Sequence, residues 1–228
     1  MARDEPFLFH SVLSSSLNIG LLTAHDVADA VAQHASASLA SREGFVRQVI
    51  GWREYMRGVY RAHPELADAN ALGLHRRLES YWYTGRRIPR DLPEPVRVVL
   101  ERVHRWGYAH HIERLMVLGN WLLLRGYAPR EVTRWFSALF VDAYEWVMVP
   151  NVMGMSQWAD GGLVATKPYV SGGAYLQKMG HWWESDAAAR DSAFTTAYWD
   201  FLAANEDALA GNPRMALALA QMRARRDA

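Results

Sequence analysis

The chain of 228 residues contains no cysteine, which excludes disulfides and any metal or iron–sulfur centre held by thiolates. It lacks an excess of charge as well. Its 25 Lys and Arg stand against 24 Asp and Glu, a net +1, so the overall balance selects neither for nor against nucleic acid. No apolar run approaches the roughly 20 residues of a membrane span. The opening MARDEPFLFH has no basic stretch followed by an apolar one, so no signal peptide is read, and a cytoplasmic protein with no membrane partner is expected. Strand-like alternation is missing throughout. His104, His110 and His111 have neither HExxH nor i,i+4 spacing, so no metal site is expected, and no G-x-S-x-G elbow offers a hydrolase serine. The glycine pairs at 161–162 and 172–173 lack the strand-before, helix-after setting of a dinucleotide fingerprint.

What is present is apolar and aromatic. Half the residues are hydrophobic, with 10 Trp and 10 Tyr, enough for one large core. The expectation is one all-α domain over 1–228, without repeat or linker. The chain is organised around Gly107 to Met155. There Ile112, Leu115, Met116, Gly119, Leu122 and Leu123 recur at the 3–4 spacing of a helix with one buried stripe. His110 and Arg114 are i,i+4 neighbours and His111 and Arg114 are i,i+3, so imidazole and guanidinium can share a face. Asp142 is a candidate partner for Arg114. Desolvating such a pair costs several kcal/mol, so it needs a reason to exist, and a redox cofactor is one. Asn151 falls in what reads as a Pro150–Met155 turn.

In chain order, residues 1–22 read as a loop entering a short helix, where Ser11, Ser14, Ser15, Ser16 and Asn18 offer hydroxyls, an amide and free backbone N–H groups suited to phosphate. Residues 24–40 form an alanine-rich helical stretch. EGFVRQVIGWREYMRGVY is a strong helix with Phe45, Val49, Trp52 and Met56 as its core stripe and Arg47, Arg53 and Arg57 opposite. Residues 63–95 are loop-rich, and their ESYWYTGRR stretch either stacks bases beside Arg86, Arg87 and Arg90 or pins its own loop with aromatics, the commoner outcome. Two helices close the chain, FTTAYWDFLAANEDAL and one opened by Asn212 as cap and Pro213 at its first position.

YAHHIERLMVLGN, then VDAYEWV, PN, GM, ADGGL and KPY, resembles in content and order the flavin-binding domain of the photolyase/cryptochrome family. The likeness extends from FLFHSVLSSSLNIGLL to GNPRMAL and is nearest the iron–sulfur bacterial branch, whose members repair (6-4) photoproducts or sense light. It implies FAD as cofactor. Ser11, Leu13, Ser14 and Asn18 would serve at its diphosphate and Gln48, Trp52 and Arg53 along its length. Arg114, Asp142, Asn151 and Met155 would lie at the flavin ring. His111 matches the active-site histidine, with His110 beside it and Lys167 and Tyr169 at the pocket mouth. Trp135 matches the inner electron donor and Tyr83 stands near the outer one, with Trp82 as a substitute, while Phe136 replaces a tyrosine. On that basis a radical on Trp135 has no easy route outward. The four cluster cysteines are absent, with Trp183 and Asp186 at two of their positions, and the chain has no room for the family's α/β antenna domain. Two functions follow from the resemblance: a non-repair light or redox sensor or small-molecule flavoenzyme, and a blue-light (6-4) photolyase. The partners implied are damaged DNA, a small-molecule substrate or a separate protein.

Overall fold

The computed structural model describes residues 1–227, and their secondary structure is helical apart from one isolated bridge, Arg76 to Tyr127. The first layer holds α1 (Ser14–Asn18), α2 (Ala24–Gln33) and α3 (Leu39–Val46), which continues through a π-helical segment, Arg47–Trp52, into α4 (Arg53–Ala62). The alanine-rich stretch is therefore interrupted at 34–38 rather than continuous. α2 starts where Thr23 and Asp26 satisfy each other's free N–H groups in a capping box. The expected stripe on the next helix is only partly buried. Met56 is in the core, but the π insertion turns the preceding positions, and Trp52 ends up exposed.

Beyond a 3-10 turn at Pro64–Asp68, α5 (Ser80–Thr84) carries the aromatic stretch. Trp82 is fully buried there, so this loop is pinned by its own aromatic residue. α6 (Glu94–Trp106) ends at Gly107, whose φ of 60° closes the helix in the left-handed region. The central helix then runs from His111 through a π segment, Glu113–Gly119, into α7 (Asn120–Leu124). One buried stripe was expected here. Instead every residue from Leu115 to Leu124 is buried, because α6, the 149–156 segment and α12 surround it.

α8 (Pro129–Leu139), α9 (Glu145–Met148) and a third π segment, Val149–Ser156, follow. Asn151 therefore lies inside a helix and not in a turn, a correction that follows because the helical run begun at Glu145 continues through Pro150 as a π segment. At the crossing with the central helix, a side chain on Gly119 would fall onto Ser156, and Gln157 Nε2 donates to the Gly119 carbonyl at 3.1 Å. The chain ends with α10 (Gly173–Gly180), α11 (Asp186–Arg190), α12 (Ala193–Ala204), α13 (Glu206–Ala210) and α14 (Ala216–Arg226). The single helix read for 194–209 is split at Asn205. Pro213 precedes the last helix rather than opening it, since 213–215 form a turn. Among the described residues no helix is long and apolar enough to cross a membrane.

Candidate functional site

Three distant stretches meet at Asp142, in the turn between α8 and α9. Arg114 donates both terminal nitrogens to the carboxylate, at 2.9 and 3.0 Å, in the parallel fork that gives an arginine–carboxylate pair its strength. The same carboxylate accepts from Ser14 Oγ at 2.6 Å, and the Asp142 carbonyl accepts from Asn18 Nδ2 at 2.7 Å. Arg53 donates to Asn18 Oδ1 at 2.7 Å and lies 4.7 Å over the Trp146 ring. Arg114 is held from behind as well, by the Ala109 carbonyl at 2.5 Å and by the face of Phe140 at 4.4 Å. Ser14 thus ties α1 to Asp142 and does not cap its own helix.

The two adjacent histidines point into different environments. His110 is buried and stacks at 4.4 Å, 11° from parallel, on His10 of the entering loop. Its Nδ1 accepts from the Glu113 backbone N–H at 3.4 Å. His110 Nε2 lies 3.5 Å from Glu113 Oε1, and neither it nor Glu113 Oε2 has a hydrogen-bond partner among the described residues. Glu113 is neutralised by Arg102, which also donates to the carbonyls of Ala2 and Arg3. His111, by contrast, has an accessible ring although protein surrounds it. Burial, and then the Arg114 guanidinium, hold its pKa below the usual imidazole range. The Arg114 N–H donates to the His110 carbonyl at 3.0 Å in an ordinary helical turn, but the side chains have different partners: His111 lies with Arg114, His110 with Glu113.

The serine loop is shaped by backbone strain. Leu8 and Val12 adopt φ of 48° and 56°, unusual for β-branched or bulky residues. Between them Phe9 is fully exposed, and Ser11 is exposed beside it. Leu13 borders a cavity of about 540 Å³ lined mainly by apolar residues of α2 and α3, including Val27, Val31 and Phe45. Gln48 and Trp52 are exposed on the neighbouring π segment. Exposed large apolar side chains collect in this first layer, among them Leu8, Phe9, Val12, Ile19, Leu21, Ile50, Trp52 and Tyr55. A layer with so much uncovered apolar surface is built to be covered by something.

The remaining predicted residues lie apart from the Asp142 junction. Asn151 donates to the Val147 carbonyl at 2.9 Å, and Met155 is buried in the main core. Lys167 and Tyr169 are exposed, without a side-chain hydrogen bond to the histidines. Trp135 is fully buried and donates to the Trp82 carbonyl at 2.6 Å, and the two indoles meet edge-on at 5.5 Å. It is Trp82, not Tyr83, whose ring packs on Trp135, and Tyr83 is half-buried at the periphery. Phe136 fills space between Trp135 and Phe140 and is not on the way outward. Trp135 therefore has Trp82, the substitute read from the sequence, as its indole neighbour. Reading the sequence missed His10, Glu113 and Arg102. Glu113 was detectable at i+3 from His110, whereas nothing in the sequence brings Arg102 or His10 to it.

The chain is 44% identical over 227 residues to a protein of Agrobacterium fabrum named (6-4) photolyase, covering 95% of this chain and 44% of that one. It is also 32% and 37% identical, over 108 residues each, to two Acanthamoeba polyphaga mimivirus proteins, uncharacterized proteins R855 and R853; these matches cover 45% and 46% of this chain and 81% and 80% of theirs. No protein-family model matches the chain. The chain spans less than half the length of the Agrobacterium protein. Identity of this order over 95% of this chain, together with an all-helical architecture, places the chain in the photolyase/cryptochrome family.

Proposed function

We infer that the chain is an FAD-binding flavoprotein that works as a light or redox sensor, or on a small-molecule substrate, without repairing DNA. The observation that carries the cofactor is the Asp142 junction: a buried arginine–carboxylate fork tied by Ser14 and Asn18 to the serine loop. The residues fit an FAD. Ser11, Leu13, Ser14 and Asn18 would hold the diphosphate and Gln48, Trp52 and Arg53 the flanks, while Arg114, Asp142, Asn151 and Met155 would hold the ring. The uncovered apolar side chains of the first layer are consistent with a site that a ligand completes. A bound flavin supplies blue-light absorption and electron transfer. The protein's own part is to fix charge. The Arg114–Asp142 pair presents its guanidinium and carboxylate in fixed positions through a two-pronged hydrogen-bond fork.

One feature favours a non-repair role: burial and the neighbouring Arg114 guanidinium disfavour a protonated His111 ring, whereas protonating a lesion calls for imidazolium. A cytoplasmic setting and a separate partner protein belong to this reading. The second reading, repair of a flipped (6-4) photoproduct with His110, His111 and Tyr169 at the lesion, is favoured by the histidine pair beside Arg114 and by the name of the Agrobacterium relative. Incubating FAD-loaded protein with an oligonucleotide carrying the (6-4) lesion under blue light separates them. A bleached flavin with no restored thymines supports the first, and restored thymines establish the second.

A further inference from the structure

On α2, Val27, Ala30, Val31 and His34 follow at i, i+3, i+4 and i+7, the spacing of a single helix face. Of these only Val27 is buried, while Ala30 and His34 are exposed. This face borders the cavity of about 540 Å³, to which α3 contributes Ser41, Arg42 and Phe45. A volume of that size falls within the roughly 300–1,000 Å³ of small-molecule sites. None of the side chains that converge at Asp142 lines it. Leu13 alone belongs to the stretch that leads to Ser14.

One end of the cavity carries a charge without a counter-charge. Arg42 reaches from α3 to the last turn of α2, where its Nη1 donates to the Ala32 carbonyl at 3.1 Å. Its Nε is buried and has no acceptor among the described residues. The acids of α2 and α3 are engaged elsewhere. Asp26 accepts from the Thr23 N–H at 2.9 Å and from the Thr23 hydroxyl at 2.6 Å. Asp29 pairs with His25 at 2.9 Å and Glu43 with Arg47 at 2.6 Å. Asp26 also borders the cavity, but from the start of α2, about 9 Å along the helix from Ala32 at 1.5 Å per residue. Ser41 Oγ accepts from Ser38 Oγ at 2.9 Å, so its own proton is free to donate beside Arg42.

We propose that this cavity binds an aliphatic monocarboxylate, with its head group on Arg42 and Ser41 and its chain along Val27, Ala30 and Val31, facing Phe45. A guanidinium short of acceptors takes a carboxylate through charge-assisted hydrogen bonds. The uncovered face of α2 takes a hydrocarbon chain, because apolar surface leaves water on both partners. A bare anion would leave that face uncovered, and a neutral hydrocarbon would leave Arg42 without a counter-charge. A molecule with both parts satisfies both. The site needs neither Arg114 nor Asp142, so it stands apart from the FAD reading.

Isothermal titration calorimetry with decanoate, below its micelle concentration, tests this on the full chain as isolated and after saturation with FAD. Saturable binding of about one decanoate per chain is expected in both. Decyltrimethylammonium, with the same tail and the opposite charge, should bind roughly tenfold more weakly or worse. Arg42→Gln should weaken decanoate by roughly tenfold or more, the loss of a hydrogen bond to a charged group, and leave flavin content unchanged. Ala30→Phe, which puts a ring into the cavity from an exposed position, should abolish binding and keep the urea midpoint near that of wild type. It decides the matter even if Arg42→Gln fails to fold. An Arg42 that only caps α2 would lower the urea midpoint on substitution and leave decanoate affinity unchanged, which overturns the proposal. Absence of saturable decanoate binding, equal affinity for the two head groups, or undiminished binding in folded Ala30→Phe overturns it too. Displacement of decanoate by FAD would assign the cavity to the flavin and overturn it as well. A chain that takes up no FAD refutes the flavin reading alone, and the titration of the protein as isolated still decides this one.

Discussion

Replacing Arg114 by alanine tests the Asp142 junction most sharply. The Asp142 side chain is 7% exposed and that of Arg114 18%, so the substitution leaves a nearly dry carboxylate with Ser14 as its remaining side-chain donor. Breaking such a pair from one side costs about 3–5 kcal/mol. For a chain of this length each kcal/mol lowers the midpoint by about 2–4 °C, so Tm should fall by roughly 6–20 °C. Arg130→Ala is the control. Its partner Asp68 and Arg130 are each 73% exposed, and such a surface pair contributes about 0–1 kcal/mol. Removing both charges together, Arg114→Met with Asp142→Leu, should recover most of the loss, because no charge is then stranded. Urea titration followed by tryptophan fluorescence measures all four proteins. A loss for Arg114→Ala no larger than for Arg130→Ala, or a double variant as unstable as the single, would refute the argument.

Gly119→Ala should destabilise by about 1–3 kcal/mol, since its new methyl would strike Ser156 at the helix crossing, whereas Gly44→Ala, in α3 with open space around it, should stabilise by up to about 1 kcal/mol; urea midpoints decide both. His10, His104 and His111 all have folded pKa values below the ordinary 6.5, so the unfolded chain binds more protons as pH falls. Their contribution is present above about 6.5 and is lost below it, so Tm should drop between pH 7 and 5, and less steeply in His104→Gln. If duplex DNA binds through Arg86, Arg87, Arg90, Lys167 and Lys178, log K should fall with log salt by about 0.9 per phosphate contacted, and a salt-independent constant would exclude that surface.

Some of this was legible in the sequence and some was not, for physical reasons. Arg114 and Asp142 stood out because a charge inside an apolar pattern demands a partner, and they do pair. All-helical architecture followed from 3–4 periodicity. The π segments did not show. One extra residue per turn leaves composition unchanged but shifts the helical register across it, which is why Trp52 falls outside the buried stripe that Met56 keeps. Asn151 was misplaced by the Pro-Asn turn signal, because proline near the start of a helical segment looks the same as proline in a turn. His10 reaches His110 across a hundred residues through a loop whose left-handed Leu8 and Val12 no propensity foretells. Trp82 and Tyr83 are sequence neighbours with equal aromatic character. Only the helical phase of the five-residue α5 decides that Trp82 faces Trp135.

The absorption spectrum and cofactor stoichiometry of the purified protein test the central claim most directly. The account predicts about one FAD per chain and no iron, with Arg114→Ala holding less flavin than Arg130→Ala at equal folded fraction. A protein that is colourless as isolated and takes up no added FAD, or variants with equal occupancy, would contradict it.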